Sequence, residues 1–309
     1  MPTAVFTHDD CVNHVTPTGH PERVARYETV SAALDAIDGL DRRAAPLCDD
    51  AALLLAHPAS HVAAIVGAEP ADGWASLDPD THMSPGSVAA ARRAVGGVVA
   101  AVGQVLDGGA GNAFVGCRPP GHHAEHDRAM GFCLFSNAAI GALHALDAHG
   151  LARVAVVDFD VHHGNGSQNV LWGESRALYA SSHEMPLYPG SGAVSERGGS
   201  GNVVNAPLPG RSGSAEMRSA WSGHILPAVA AFAPDLIIVS AGFDAHAADP
   251  LASLNWRTDD FAWVTRAICE TADRVCGGRL VSTLEGGYDL QALGAGVAAH
   301  VEVLKEHAG

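Results

Sequence analysis

The sequence is poor in basic residues and lacks long apolar runs. Lys and Arg together number 18 against 34 Asp and Glu, so the net charge is −16. This balance argues against non-specific nucleic-acid binding, favours solubility and would attract a cationic partner. No uninterrupted apolar run reaches membrane-spanning length, and the first residues, MPTAVFTHDD, carry neither a basic patch nor an apolar signal core. We therefore expect no nucleic acid, no membrane and no secretory signal.

The cysteines form no recognisable pairs. The six are scattered and include no CxxC motif. Without an export signal, scattered cysteines are typical of reduced thiols in a cytoplasmic protein, and we expect that location. No internal repeat or Pro/Gly/Ser-rich linker divides the 309 residues, so we expect one domain over residues 1–309.

The chain does contain an alternation of strand-like and helix-like segments. Short apolar runs predict strands at residues 112–116, 154–159, 177–181, 236–240 and 280–284. Helical spacing predicts helices from Ser84-Pro85 to Gly108, over 137–149, from 258 to about 277, and over 289–307. The Gly- and Ser-rich segment 196–213 is interpreted as a surface loop. This order predicts an α/β fold with a parallel sheet and helices on both faces.

Chemically active residues follow four of the predicted strands. RPPGHHAEHDRAMGFC, with His122 and His123, follows the first, and DFDVHHGNG ends the second. AGFD and EGGY follow the last two. Because ligands bind outside the carboxyl ends of parallel strands, we expect these groups to converge on one rim.

The spacing of the acidic residues and histidines predicts a metal site. In an extended segment alternate residues share a side, so Asp158, Asp160 and His162 would point the same way. Asp160 and His162 can reach one ion, and Asp244 from another strand end can complete its ligand set. Two carboxylates and one imidazole suit a catalytic Zn²⁺ or a similar divalent ion.

The remaining groups can supply proton transfer and oxyanion binding. His122 or His123 can act as general base and then general acid, oriented by Asp158 or Asn165. The Tyr288 hydroxyl, in a Gly-flanked turn, can donate to a developing oxyanion. Together these residues indicate a metal-assisted amide hydrolase.

The motifs PGHHA, GFC, VDFDVHHGNGSQ, SAGFDAHAADPL and EGGYDL resemble, in this order, the zinc-dependent histone deacetylase family of the arginase/deacetylase superfamily. That family includes bacterial deacetylases and acetylpolyamine amidohydrolases, and GHPERVARYETV fits it too. The resemblance covers residues 19–290, and HHGNG and EGGY are more similar to its class II branch. It implies a single-domain arginase/deacetylase fold with an eight-stranded parallel sheet flanked by helices.

The resemblance also implies roles for individual residues. One Zn²⁺ per chain, with Fe²⁺ or Co²⁺ as alternatives, would be held by Asp160, His162 and Asp244. A structural K⁺ would be held by Asp158, Asp160, His162 and Ser181 with backbone carbonyls. The implied catalytic roles are His123 as the general base and acid, His122 as an electrostatic partner, Asp158 and Asn165 as their respective orienting residues, and Tyr288 as the group that polarises the carbonyl.

The substrate would lie in a narrow tunnel. Phe132 and Tyr188 would flank an acyl-lysine chain, and the Gly131 carbonyl would accept its amide N–H. Leu251 and Asp80 are the candidates at the rim. Arg26 would line an internal channel behind the metal.

Three functions remain open on the sequence. The first is removal of acetyl or short acyl groups from lysine side chains of proteins or peptides, and the second is hydrolysis of acetylpolyamines. Leu251, where polyamine-selective relatives would carry Glu, and the lack of a long insertion between His61 and Ser84 favour the first. The third is an inactive acyl-lysine-binding module. The two-manganese site of arginases is not supported, because Gly164 and His246 occupy positions where it needs carboxylates. A homo-oligomer is compatible with the sequence.

Overall fold

A sheet of eight parallel strands runs through the computed structural model, which describes all 309 residues. Its spatial order is β2 (Asp41–Ala44), β1 (Thr3–Thr7), β5 (Asn112–Val115), β10 (Leu280–Leu284), β9 (Leu236–Ala241), β6 (Val154–Asp158), β7 (Ala177–Glu184) and β8 (Val203–Leu208). Every neighbouring pair is parallel. A separate antiparallel pair consists of β3 (Ala75–Ser76) and β4 (His82–Met83). The predicted eight-stranded parallel sheet is confirmed.

Helices occupy most of the connections between the strands. They are α1 (Val24–Asp35), α2 (Asp50–Leu53), α3 (Ala59–Ala68), α4 (Ser87–Leu106), α5 (Asn137–Asp147), α6 (Asn165–Leu171), α7 (Ser214–Ala220), α8 (Leu226–Phe232), α9 (Thr258–Cys276) and α10 (Leu290–Glu306). A single π-helical segment, Trp221–Ile225, joins α7 to α8, and a short 3₁₀ helix spans Asp9–Asn13.

Both faces of the sheet are covered, and each has its own apolar cluster. Strand β6 contributes Val154 and Val156 to one cluster, which also contains residues of α4 and α5. Its alternate residues Ala155 and Val157 belong to the other cluster, with residues of α1, α9 and α10. A strand buried on both faces needs apolar residues at every position, which explains the uninterrupted run VAVV.

Helix α4 is the only helix long and apolar enough, by length and composition, to cross a membrane. In this structure it packs against α5 and strands β1, β5 and β10, and 56% of its apolar window is buried. An apolar helix in the core of a globular fold has the same composition.

Some element boundaries differ from the predictions. Residues 196–213, predicted as a loop, contain strand β8 at the sheet edge. Helix α4 begins at Ser87 rather than at Pro85, because Gly86 adopts a φ of +93° immediately before it. Ser84 therefore lies outside the helix, and its amide donates a hydrogen bond to the Ser87 hydroxyl at 2.8 Å. A left-handed residue cannot continue a right-handed helix.

A buried ion network connects the start of α1 to the segment that follows β5. The Glu22 carboxylate accepts hydrogen bonds from Arg118 Nε at 2.7 Å and from Arg26 Nη1 at 3.1 Å. All three side chains are fully buried. Buried charges persist only when they are paired, so this network fixes the segment of α1 against the chain that follows β5.

Candidate active site

The site lies at the carboxyl ends of four central strands. Strands β5, β10, β9 and β6 are consecutive neighbours in the sheet. These are the four strands after which the sequence carries its histidines, carboxylates and tyrosine. The expected convergence on one rim is therefore a direct consequence of the strand order.

Three side chains form a candidate metal centre. Ligand atoms of Asp160, His162 and Asp244 all lie within 4.8 Å of one another, and all three residues are buried. His162 Nδ1 is 3.2 Å from Asp160 Oδ1 and 3.2 Å from Asp244 Oδ2. Backbone amides fix both carboxylates: Gly286 N–H donates to Asp160 at 2.8 Å, and Val161 N–H donates to Asp244 at 2.9 Å.

The electrostatics of this cluster fit a bound cation. Burial, together with the neighbouring Asp160 carboxylate, raises the pKa of Asp244 to about 7. Burial lowers the pKa of His162, but its contacts with Asp160 and Asp244 outweigh burial and raise it to about 10. Two buried carboxylates at one point need positive charge, and a divalent ion supplies it without protonating a ligand.

Glycines make room for the cluster. A Cβ added at Gly242 would lie 2.0 Å from Asp160 Oδ2, and one at Gly286 would lie 2.0 Å from Asp244 Oδ2. Real Cβ atoms cannot approach so closely. The glycines in AGFD and EGGY thus leave room for the Asp160 and Asp244 carboxylates, and the donor set fits a divalent metal.

The tandem histidines lie beside this centre with the partners that the family resemblance implied. His122 Nδ1 is 3.1 Å from Asp158 Oδ2, which also accepts a hydrogen bond from the Tyr179 hydroxyl at 3.0 Å. His123 Nδ1 is 2.8 Å from Asn165 Oδ1. The two imidazole centroids are 4.0 Å apart.

The pKa values of the two histidines shift in opposite directions. Burial lowers the pKa of His122, but Asp160 and Asp158 outweigh burial and raise it to about 10. Burial holds the pKa of His123 well below its usual value, and the neighbouring His122 and His162 lower it further. A bound cation would lower both pKa values. Because only His122 contacts Asp158, the pKa of His122 would still be higher than that of His123.

A cavity of about 240 Å³ opens above the metal centre. It is lined by Asp80, His123, Gly131, Phe132, His162, Tyr188, Leu251 and Tyr288. All of the residues predicted to bind substrate are in this set, together with members of the predicted catalytic and metal sets. A small, partly apolar cavity with a few convergent polar groups is the usual form of a small-molecule site.

Aromatic rings form the walls of this cavity. The Phe132 ring lies edge-on to Tyr288 at 5.8 Å between centroids, and the Tyr188 ring lies edge-on to His123 at 5.3 Å. Phe132 has a φ of +69°, and the Gly131 position faces the His123 ring, where an added Cβ would lie 2.4 Å from Cδ2. Strained backbone of this kind is concentrated at functional sites, and here it places a wall beside the candidate base.

Arg26 lies behind Tyr288. Its guanidinium carbon is 4.9 Å from the centroid of the Tyr288 ring, and its Nε–H donates to the Gly287 carbonyl at 2.7 Å. Burial raises the pKa of the Tyr288 hydroxyl well above its usual value, although Arg26 acts in the opposite direction. The hydroxyl therefore stays protonated and can serve as a hydrogen-bond donor.

The predicted potassium site stays a prediction. Ser181 on β7 is paired in register with Asp158 on β6, which brings the two residues together. The Ser181 hydroxyl is 2.9 Å from His183 Nδ1.

His246, which follows the third ligand by two residues, does not join the metal cluster. Its ring stacks on Phe261, with 6.5 Å between the ring centroids.

Two buried carboxylates that the sequence analysis left without a role also support the site. Asp249 accepts hydrogen bonds from the Tyr288 amide at 2.7 Å and from the Leu251 amide at 3.0 Å. Glu285 accepts them from Gly121 N at 2.7 Å and from His122 N at 3.1 Å. The sequence signal that could have identified them is their position in the motifs: Asp249 lies in ADPL and Glu285 in EGGY.

Comparison with known proteins identifies the family. The model of the histone deacetylase domain matches residues 20–304. The chain therefore belongs to the histone deacetylase family of hydrolases.

Individual relatives agree with this assignment. The chain is 47% identical to histone deacetylase 10, chloroplastic, of Oryza sativa over 60% of its own length, but that match spans only 42% of the relative. It is 41% identical to a histone deacetylase-like amidohydrolase of Pseudomonas aeruginosa, over 87% of this chain and 73% of that one. The crystal structure of the HDA15 HD domain superposes with a TM-score of 0.91 at 34% identity, covering 98% of this chain and 90% of that chain.

Proposed function

We propose that the protein is a zinc-dependent deacetylase that removes acetyl or short acyl groups from lysine side chains of proteins or peptides. The observation that carries the proposal is the cavity of about 240 Å³, which brings a metal ligand, a neutral histidine, a tyrosine and aromatic walls to one point. Asp160, His162 and Asp244 would hold the Zn²⁺, with Fe²⁺ or Co²⁺ as substitutes, and Asp158 and Ser181 would contribute to a structural K⁺ site.

Each protein residue then has a defined task. The metal, when bound, would supply Lewis-acid activation of the acyl carbonyl and of water. His123 Nε2 takes the proton of the attacking water and later returns it to the leaving lysine nitrogen. His122, held protonated by Asp158, stabilises the developing negative charge. The Tyr288 hydroxyl donates a hydrogen bond to the carbonyl oxygen as that charge forms.

The cavity walls account for the shape of the substrate. Phe132 and Tyr188 would pack on either side of an extended alkyl chain, which excludes branched or bulky groups. The Gly131 carbonyl would accept the amide N–H and orient the scissile bond. Binding of this type positions the reacting atoms near the base and the donor before reaction.

Tyr288→Phe should lower kcat for an acetyl-lysine peptide by about 10²–10³, since one oxyanion donor is worth that much. The ring stays in place between Arg26 and Phe132, so metal content and KM should change little. Steady-state kinetics together with metal analysis measure both. An unchanged kcat would mean that the hydroxyl does not touch the carbonyl in the transition state.

Acetylpolyamine hydrolysis is the second candidate. The observation that favours it is the rim carboxylate Asp80, because its burial and the nearby Asp78 raise its pKa and a polyamine ammonium would relieve that repulsion. Leu251 favours acetyl-lysine, since a distal ammonium placed against it would lack a partner. The rim position of Leu251 therefore offers a direct test of substrate choice.

Leu251→Glu should move the ratio of kcat/KM towards acetylspermidine by about fivefold, because a partly exposed ion pair is worth about 1 kcal/mol. Leu251→Gln, of the same length but uncharged, is the matched control and should leave the ratio within about twofold. The wild type should prefer the acetyl-lysine peptide. A tenfold wild-type preference for acetylpolyamines would refute the lysine assignment.

The proposal is tested by comparing kcat/KM for four substrates: an acetyl-lysine peptide, a trifluoroacetyl-lysine peptide, acetylputrescine and acetylspermidine. We expect both peptides to be hydrolysed faster than either polyamine. Turnover of none of them by metal-loaded protein would indicate a binding module instead.

A further inference from the structure

A carboxylate with no role in the proposed mechanism lies behind the amide that contacts the candidate base. Glu125 Oε1 is 2.7 Å from Asn165 Nδ2. Glu125 is half-buried, and its backbone amide donates to the Arg128 carbonyl at 2.9 Å, which closes the turn that follows the tandem histidines. Asn165 therefore connects His123 on one side with Glu125 on the other.

The orientation of the Asn165 amide decides which nitrogen of neutral His123 carries the proton. If Oδ1 faces the imidazole, His123 keeps its proton on Nδ1, and Nε2 has a free lone pair. If Nδ2 faces it, Nδ1 must accept, and the proton moves to Nε2. Only the first arrangement gives a base directed away from Asn165. An amide has no intrinsic preference between the two.

Two acceptors surround Asn165 Nδ2 and remove this ambiguity. Glu125 Oε1 lies at 2.7 Å and the Met130 sulfur at 3.4 Å. An ionised carboxylate only accepts hydrogen bonds, so a flipped amide would place its carbonyl oxygen against a negative oxygen. The flipped state would lose a charge-assisted hydrogen bond and gain a repulsion.

We propose that Glu125 is a positioning residue that fixes the Asn165 amide and thereby holds His123 in the Nδ1–H tautomer. The significance of that tautomer for catalysis rests on the proposed function. Glu125 does not line the cavity above the metal centre; it lines a separate cavity of about 370 Å³ together with Met130 and Asn165. A change at Glu125 therefore leaves the substrate walls intact.

The tautomer is measured directly by long-range ¹H–¹⁵N correlation on metal-loaded protein labelled with ¹⁵N-histidine. The His123 signals are assigned by their loss in His123→Ala. The wild type should show a protonated Nδ1 and an unprotonated Nε2. Glu125→Leu, similar in size but without an acceptor, should give a mixture of tautomers. Glu125→Gln retains an acceptor oxygen and should keep the wild-type tautomer.

Kinetics provide the second readout. Glu125→Leu should lower kcat by about tenfold, in the range of residues that orient a catalytic group, with KM unchanged. Glu125→Gln should recover most of that loss. Asp127→Asn removes an exposed charge from the same turn and should equal the wild type in both measurements. A wild-type tautomer and kcat in Glu125→Leu, or equal losses in Glu125→Gln and Glu125→Leu, would overturn the proposal.

Repeating the Glu125 substitution in a second variant, Asn165→Asp, distinguishes a positioning role from poor folding. In Asn165→Asp, either carboxylate oxygen accepts the Nδ1 proton, so no orientation is needed and Glu125 becomes a repelling charge. Glu125→Gln should then raise kcat instead of lowering it. A loss in both backgrounds would refute the positioning role. The NMR measurement does not depend on turnover. An inactive enzyme would therefore refute the proposed function, while the tautomer measured by NMR would still decide the role of Glu125.

Discussion

Asp244→Ala should abolish both metal binding and deacetylation. A metal that supplies about 4 kcal/mol of transition-state stabilisation accounts for roughly 10³ in rate, since 1.36 kcal/mol is tenfold. Asp160→Ala should behave in the same way, because both carboxylates belong to the cluster within 4.8 Å. Metal content by mass spectrometry and kcat/KM for an acetyl-lysine peptide are the two measurements.

Asp244→Asn separates loss of the metal from loss of the fold. The amide oxygen can still accept the Val161 N–H that Asp244 accepts at 2.9 Å. Since a ligand that binds only the folded state stabilises it, added Zn²⁺ should raise the Tm of the wild type but not that of this variant. His246→Ala, two residues further on and outside the cluster, is the control and should keep metal and activity. Full activity of Asp244→Asn without bound metal would refute the site.

His123→Ala should lower kcat by about 10²–10⁴ while the metal stays bound, because it removes proton transfer and not a ligand. The reason for choosing His123 over His122 is electrostatic. Burial keeps the pKa of His123 well below its usual value, so the ring is neutral and able to accept a proton. Asp158 contacts His122 and favours its protonated form, and a protonated ring is no base.

The comparison with His122→Ala makes the assignment testable. That variant should also lose activity, but through lost charge stabilisation, and addition of imidazole should rescue His123→Ala more than His122→Ala. His126→Ala, on the same segment, is the control, since its Nδ1 contacts only the Ala56 carbonyl, at 2.7 Å. A loss of only a few-fold in His123→Ala would transfer the role of base to His122 or to water.

The centre of the sheet could be predicted from sequence because burial constrains it. Strands β5, β6 and β9 are each apolar at all positions but one, and a run that is apolar on both faces is a strong signal. Three strands of this sheet were not predicted: β1, although it is buried, and the two edge strands, β2 and β8. The edge strands were missed for the converse reason. Strand β2, DRRA, is charged and alternates between half-buried and exposed positions, and β8 lies in a Gly-rich segment.

The metal cluster could be predicted because its members lie at strand ends within short motifs. Asp160 and His162 are two residues apart, and the order of the sheet brings Asp244 to them. The supporting carboxylates Glu125, Asp249 and Glu285 could not be assigned in this way. Their partners are an amide 40 residues away or backbone N–H groups on other strand ends, and such contacts leave no spacing pattern in the sequence.

The central claim is one divalent metal, held by Asp160, His162 and Asp244, that is required for removal of an acetyl group from lysine. Metal-free protein titrated with Zn²⁺, with acetate release from an acetyl-lysine peptide as the readout, tests it most directly; Fe²⁺ and Co²⁺ serve as parallel titrations. Activity should rise from zero in proportion to added metal and reach its plateau at one ion per chain. A plateau at two ions per chain, or acetate release by the metal-free protein, would contradict the account.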